Sequence, residues 1–249
     1  MKRKGISTSV IRSRVSLIEQ LPEAQFYELG FFRREDLERI VEFFSGKRIG
    51  VHAPFVFRYK NHHPAPTSLD EKERRDTYSV NRECALLARG IGAEYVVVHF
   101  PNAIQRENWL SVYGEAVEHF GTLNEILPVR VENVYGNDHF HTARDYASFL
   151  RDTGCTMCLD VGHLLIDSKV YGFSARKFVE ELADLISEVH LYYADLQTYK
   201  RCHHAPWGDS EEFLDLLEFL KGFDVDFVIE ATPECADGLE KLFSYWRDL

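Results

Sequence analysis

The apolar and charged fractions of this 249-residue chain, 45% and 28%, are typical of a soluble globular protein. Its 40 acidic and 29 basic residues give a formal net charge of −11, which disfavours a broad nucleic-acid surface but leaves a local basic groove open. No apolar run approaches the roughly 18–20 residues of a membrane-spanning helix. The start lacks the apolar segment of a secretory signal, and the odd count of five cysteines predicts reduced thiols, so we expect a cytoplasmic protein.

Short apolar, β-branched runs alternate with amphipathic segments along the chain. The predicted strands cover residues 5–9, 25–29, 48–52, 94–99, 129–132, 156–160, 188–191 and 226–230. The predicted helices cover residues 34–44, 70–87, 107–127, 142–150, 174–186, 210–220 and 236–246, with Thr142, Ser174 and Asp209 as N-caps. Eight strand-then-helix units predict an α/β fold, a single-domain (β/α)₈ TIM barrel over residues 1–249. The main rival, a doubly wound sheet, lacks a glycine-rich phosphate loop after the first strand.

Residues able to bind metal or transfer protons stand at the carboxyl ends of the predicted strands. They are Glu28, His52, His99, Glu132, Asp160, His190 and Glu230, with His163 three residues after Asp160. In a barrel these ends converge on one mouth, where the active site lies. An ionisable residue that ends an apolar strand is costly unless it is paired or ligates something. Imidazole and carboxylate together suit Zn, Mn, Fe or Co, so the set predicts a divalent-metal site.

Seven short motifs, taken in order, carry a family resemblance. They are Val51-His52-Ala53-Pro54-Phe55, Val97-Val98-His99, Val131-Glu132-Asn133, Leu159-Asp160-Val161-Gly162-His163, Val189-His190-Leu191, His204-Ala205-Pro206-Trp207-Gly208-Asp209 and Val228-Ile229-Glu230-Ala231. From about residue 5 to 245 the chain resembles the xylose isomerase-like TIM barrel superfamily. That superfamily contains sugar and sugar phosphate isomerases and epimerases, and also endonuclease IV-type AP endonucleases.

The resemblance implies a metal-dependent sugar isomerase or epimerase. Its metal ligands would be Glu132, Asp160, His190 and Glu230, and the ion would be Mn, Zn, Co or Mg. Glu132 and Glu230 would also be the acid/base pair, which moves a proton through an enediolate stabilised by the metal. His163 would sit beside the ion as a substrate contact or a support for the ligands.

An AP endonuclease is the alternative that the same resemblance keeps open. There His52 and His99 would join Glu132 at a second metal, and His163 and His203 would help to bind a third. Three departures disfavour it, one of which is that the chain is shorter than typical nucleases of this type and shows no obvious set of DNA-intercalating loops. Arg201 stands where the nuclease pattern has an aspartate ligand, and arginine cannot ligate a metal. The opening strand also lacks the usual His-x-Ser segment. A non-catalytic metal-binding barrel is a further alternative, which the intact ligand types disfavour.

The substrate-binding predictions fall on loops. Arg58 and Lys60 follow the third strand and, with Arg201, are predicted to hold a phosphate or carboxylate of the substrate, although the same charges also suit a solvated loop. Trp207 is predicted to stack on a sugar or to cover the mouth. The expected partner is a small sugar or sugar phosphate, with nucleic acid as the alternative and no membrane; the oligomeric state stays open. Alternation along the strand places the pair Cys155 and Cys158 in the core rather than at a metal or redox site.

Overall fold

Eight parallel strands close into a barrel in the computed structural model, which describes residues 2–57, 63–232 and 238–249. The strands are β1 (Arg3–Ser7), β2 (Phe26–Leu29), β3 (Ile49–His52), β4 (Val96–Phe100), β5 (Val129–Asn133), β6 (Thr156–Asp160), β7 (Ile186–Leu191) and β8 (Asp226–Ile229). Each strand pairs with its neighbours in the chain, and β8 pairs with β1 from Arg3 opposite Asp226 to Ile6 opposite Ile229. The predicted TIM barrel is therefore confirmed.

The described residues also form nine α-helices around the barrel. They are α1 (Leu37–Phe44), α2 (Glu71–Gly90), α3 (Tyr113–Ile126), α4 (Ala143–Thr153), α5 (Val161–Tyr171), α6 (Ala175–Leu182), α7 (Thr198–Arg201), α8 (Glu211–Leu220) and α9 (Leu239–Asp248). Thr142 caps α4 and Ser174 caps α6, as predicted. The cap of α8 is Ser210 rather than Asp209, whose carboxylate instead pairs with Lys241 at 3.1 Å.

Two connections differ from the predicted strand-then-helix pattern. β1 is followed by two 3₁₀ turns, Thr8–Ile11 and Val15–Gln20, because Arg12 and Ser13 between them take φ values of 51° and 48°, which no right-handed helix accommodates. After β6 the chain enters α5, which the sequence analysis missed. Every residue of α5 from Val161 to Ser168 is buried, so the helix has no polar face and no amphipathic period to detect.

Strand alternation divides the side chains between the outer core and the barrel interior. Outward side chains pack against the helices, as where Phe100 stacks on Phe149 of α4 with ring centroids 3.8 Å apart. The interior is tightly filled near the amino ends of the strands. A Cβ on Gly50 would lie 2.2 Å from the ring of Tyr95, so glycine is required there. The inward residues at the carboxyl ends build the site described below.

The cysteines only partly follow the prediction. Cys84, Cys155 and Cys158 are free and buried, which confirms that the last two belong to the core. Cys202, by contrast, is disulfide-bonded, so the prediction of reduced thiols is wrong at this position. None of the helices in the described ranges has the length and apolar character needed to cross a membrane.

Candidate metal centre

Four acidic and imidazole side chains meet where β5, β6, β7 and β8 reach the mouth of the barrel. Glu132, Asp160 and His190 lie within the last two residues of β5, β6 and β7, and Glu230 directly follows β8. One ligand atom of each lies within 4.8 Å of the others, and all four residues are buried. The inward alternation of four adjacent strands is what brings together residues almost 100 positions apart in sequence.

Glu132 lies between two histidines from β3 and β4. Its Oε2 is 2.7 Å from Nε2 of His52 and 3.2 Å from Nε2 of His99, while Nδ1 of His52 lies 2.8 Å from the carbonyl oxygen of Ala53. Burial acts to raise the pKa of Glu132, but His99 and His52 hold it well below its usual range. Burial acts to lower the pKa of His52, but Glu132, with smaller effects from Glu28 and Glu230, raises it to about 10. Glu132 is therefore an anion at neutral pH.

Asp160 is held rigidly by its neighbours. Its Oδ1 accepts the backbone N–H of His163 at 2.7 Å and so caps α5, while the side chain of Asn133 bonds both backbone groups of Asp160, at 2.8 and 3.0 Å. Oδ2 is buried without a hydrogen bond. Burial, together with the charges of Glu132 and Glu230, raises the pKa of Asp160 well above its usual range. The three buried carboxylates thus repel one another.

His190 and Glu230 form the other side of the cluster. Nδ1 of His190 lies 3.1 Å from Oε2 of Glu230, and Nδ1 of His204 lies 2.9 Å from the backbone oxygen of Glu230. Burial acts to raise the pKa of Glu230, but His190 and His204 lower it to about 2. Burial acts to lower the pKa of His190, but Cys158, Glu28 and Glu230 raise it well above its usual value.

The chemistry of this donor set fits a divalent cation. Three carboxylates and one imidazole supply the oxygen and nitrogen ligands that Zn, Mn and Co accept. Oδ2 of Asp160 and both ring nitrogens of His190 are buried without hydrogen bonds, an arrangement that costs free energy unless another group satisfies them. A cation among these four residues would satisfy Oδ2 of Asp160 and one ring nitrogen of His190. It would also offset the repulsion that raises the pKa of Asp160.

A cavity of about 710 Å³ opens above the cluster, large enough for a small metabolite. Its base includes Glu132, Glu230, His52, His99 and His163. The end of β1 contributes Ser7, and the segment that follows it contributes Ser9 and Ser13. Across the barrel, the loops after β5 and β7 contribute an aromatic wall of Tyr135, Tyr199 and His203. In this wall Tyr199 stacks on His203 with centroids 4.6 Å apart and meets Tyr135 edge-on at 5.1 Å.

The remaining predicted site residues lie in different places. His163 is near the cluster, with Nδ1 3.8 Å from Oε1 of Glu132, and His203 lines the cavity. Arg201 is exposed at the end of α7 and is not among the described residues that line the cavity. Arg58 and Lys60 lie outside the described residues.

Trp207, which is predicted to stack on a sugar or to cover the mouth, is not among the described residues that line the cavity. Its indole packs against Phe213 and Tyr245, at centroid distances of 5.4 and 6.4 Å, because the loop after β7 turns it toward α8 and α9. The aromatic wall takes its place in the cavity. Sequence reasoning missed that wall, since Tyr135 lies in a loop and Tyr199 in the four-residue helix α7, neither of which has a periodic pattern to detect.

No protein-family profile matches the chain, and no curated protein matches it by sequence. Solved structures do match its fold. A D-tagatose 3-epimerase-like protein superposes with a TM-score of 0.69 and 21% identity, over 99% of this chain and 97% of that one. The IolI protein with a bound zinc atom gives a TM-score of 0.71 and 15% identity, over 99% and 95%. Endonuclease IV from Thermus thermophilus gives 0.62 and 15%, over 99% of both chains.

These neighbours share the barrel fold of this chain over nearly its whole length. Further matched structures are also sugar 3-epimerases. At such low identities the similarity establishes a shared fold. The choice among reactions rests on the residues of the site.

Proposed function

We propose that this protein is a divalent-metal-dependent isomerase or epimerase of a sugar or sugar phosphate. The observation that carries the proposal is the buried cluster of Glu132, Asp160, His190 and Glu230, whose ligand atoms lie within 4.8 Å of one another beneath a cavity of metabolite size. The sugar epimerases among the structural neighbours and the zinc atom of the IolI structure support it.

Glu132, Asp160, His190 and Glu230 would hold the ion. Bound there, a divalent ion supplies Lewis-acid stabilisation of negative charge on an oxygen of the substrate. The neighbouring imidazoles, His99 and His52 at Glu132 and His190 and His204 at Glu230, lower the pKa of each glutamate and so favour its ionised form.

The two glutamates are the proposed proton-transfer pair. Both line the cavity, and they come from different sides of the cluster, Glu132 in β5 and Glu230 after β8. One glutamate, as the carboxylate, accepts the proton from the carbon beside a carbonyl group. The other, after it has taken up a proton from solvent, returns that proton to the substrate, so that the two glutamates exchange protonation states in each turnover. The serine hydroxyls and the aromatic wall offer hydrogen bonds and apolar contact for a polyol.

Replacing either glutamate by glutamine tests this role. Glu132→Gln and Glu230→Gln remove the proton acceptor with little change of shape, so we expect each to lower activity at least about 100-fold. The readout is deuterium incorporation from D₂O beside the carbonyl group of D-tagatose, D-fructose and their phosphates, measured by NMR with Mn²⁺ present. Glu125→Gln, the same change on the exposed surface of α3, is the matched control. Near-normal exchange in either site variant would contradict the two-glutamate mechanism.

A metal-dependent AP endonuclease is the second candidate, and one specific observation favours it. His52 and His99 both lie within 3.2 Å of Glu132, as a second metal site of that class would require. Arg201 opposes it, because an exposed arginine occupies the position of a third-metal ligand. Incubation of the metal-loaded protein with a duplex that contains one abasic site separates the two. Metal-dependent nicking without sugar exchange would favour the nuclease.

A further inference from the structure

The interior of the barrel below the metal centre contains a set of charged side chains beside the apolar ones of Phe26, Val97 and Val228. Glu28, Tyr95, Arg130, Glu188 and Asp226 all point into it from different strands or strand entrances, and the three acids and the tyrosine are at most 4% exposed. Barrel interiors are usually filled by branched apolar side chains. Buried ion pairs seldom stabilise a fold more than apolar packing would, so this network calls for a role other than stability.

The network is continuous and is anchored from below. Arg130 binds Oε2 of Glu188 at 2.9 Å and Oδ2 of Asp226 at 2.8 Å, and its guanidinium lies 3.6 Å above the ring of Tyr95. The Tyr95 hydroxyl donates to Oε1 of Glu188 at 2.9 Å and also lies 3.4 Å from Oε2 of Glu28. Each contact limits the freedom of the next side chain, and the series ends at Glu28.

Glu28 in turn faces the candidate ligand His190. Its Oε1 lies 3.1 Å from Nε2 of the imidazole, and both side chains are fully buried. The other ring nitrogen, Nδ1, faces the cluster, 3.1 Å from Glu230 and 3.9 Å from Glu132. The contact with Glu28 has the length of a hydrogen bond but not its angles, so these atoms remain among the buried polar atoms without one. A small turn of the imidazole would align them.

We propose that Glu28 is a positioning residue that accepts the Nε2–H of His190 and thereby presents Nδ1 to the metal. This inference rests on the proposed metal centre. A carboxylate behind an imidazole fixes both the tautomer and the direction of the ring, and loss of such a partner weakens metal binding. Tyr95, Glu188 and Arg130 act on the metal centre only through the position that they give Glu28.

A competing role for this region is a separate metal site. Cys158, Glu188 and His190 also bring ligand atoms within 4.8 Å of one another. Glu188, however, already accepts hydrogen bonds on both carboxylate oxygens, from Tyr95 and Arg130. The positioning role leaves these bonds intact, whereas a second cation would have to displace them.

The decisive experiment measures metal affinity rather than turnover. Apoprotein is titrated with Zn²⁺ by calorimetry in the presence of a competing chelator. We expect Glu28→Gln to raise the Kd roughly 10- to 100-fold. Glu28→Asp, which keeps the charge, should restore part of the affinity. Glu94→Gln is the matched control, because Glu94 is a partly exposed glutamate that pairs with Arg3 and Arg48 and does not contact His190 in the structure. The Kd of this variant for Zn²⁺ should stay within about twofold of the wild-type value.

A second readout tests the tautomer directly. Imidazole ¹⁵N NMR of the Zn²⁺-loaded protein should show the proton of His190 on Nε2, and Tyr95→Phe, which removes only the hydroxyl above Glu188, should weaken Zn²⁺ binding less than Glu28→Gln does. If the wild type binds Zn²⁺ and Glu28→Gln and Tyr95→Phe bind it with the same Kd as the wild type, the role of Glu28 is wrong while the metal centre stands. If the wild type does not bind Zn²⁺, the metal centre itself is wrong.

Discussion

At the scale of single residues, burial of Asp167 makes the stability of the fold depend on pH at a position outside the candidate site. Its carboxylate is 5% exposed and accepts the backbone N–H of Gly136 at 2.8 Å, which ties α5 to the loop after β5. Burial raises the pKa of Asp167 to about 7, partly offset by that hydrogen bond. The folded protein therefore retains a proton between about pH 4 and 7 that the unfolded chain releases.

This proton gives a signed prediction. Because the folded state binds more protons in that window, the contribution of Asp167 to the free energy of unfolding falls as the pH rises, by at most about 1.4 kcal/mol per pH unit. Asp167→Asn keeps the acceptor for Gly136 and removes the titration. We expect this variant to gain stability relative to the wild type at pH 8 compared with pH 5, measured by urea unfolding. An equal difference at both pH values would contradict it, and Asp184→Asn at an exposed position is the control.

The candidate ligands were predictable as individual residues because each one ends an apolar strand, where an unpaired charge is out of place. Glu28 carried the same signal, since it interrupts the buried run of β2. Nothing in its own strand, however, shows that its partner is His190, which lies far along the chain in β7. Trp207 had no such signal. An aromatic residue in a loop can turn toward a cavity or toward neighbouring helices, and only the packing of Phe213 and Tyr245 decides between them.

At the scale of elements, local capping explains why several helices begin where they do. Thr142 and Asp145 form a reciprocal capping box at the start of α4: the Thr142 hydroxyl oxygen accepts the N–H of Asp145 at 3.2 Å, and Oδ2 of Asp145 accepts the N–H of Thr142 at 2.9 Å. Such signals lie within four residues and are readable in sequence. The helix α5 lacked any readable period because all of its faces near the barrel are buried.

The capping box at α4 gives a prediction for that element. Thr142→Ala leaves the N–H of Asp145 without its partner, and we expect a loss of about 1 kcal/mol in the free energy of unfolding. Thr142→Ser keeps the hydroxyl and should lose much less. Urea denaturation followed by circular dichroism measures both. Equal losses in the two variants would show that the methyl group of Thr142, rather than the cap, matters.

At the scale of the whole molecule, the proposed metal should stabilise the fold. A cation that binds only the folded protein raises the free energy of unfolding by about 2.7 kcal/mol at 100 times its Kd. We therefore expect a concentration-dependent increase in Tm with Zn²⁺ or Mn²⁺, and a much smaller increase in Glu230→Gln. Differential scanning calorimetry measures it, with Glu125→Gln as the control. An equal increase in Glu230→Gln would point to binding elsewhere.

The count and order of strands made the barrel predictable, because eight apolar runs alternating with helical segments in a chain of this length are typical of few other folds. The charged side chains of the interior were not predictable in the same way. Arg130, Glu188 and Asp226 each look like an ordinary polar residue of a strand, and their mutual contacts depend on the register between strands that are distant in sequence. The periodicity of a sequence predicts which face of the sheet a residue occupies. Its partner across the barrel is determined only when the sheet closes and fixes the register between distant strands.

The order of the strands around the barrel has a consequence for how such a protein could change its substrate. All four candidate ligands come from the consecutive strands β5 to β8, whereas Ser7, Ser9, His52 and His99 come from β1, β3, β4 and the loop after β1. The candidate cation site therefore lies in one half of the barrel, whereas the lining of the cavity comes from both halves, with the serines and two histidines on the other half. A chimera with the serine loop of a related barrel should keep its Zn²⁺ affinity while its preference among sugars shifts, so new specificities can arise in one half without rebuilding the other.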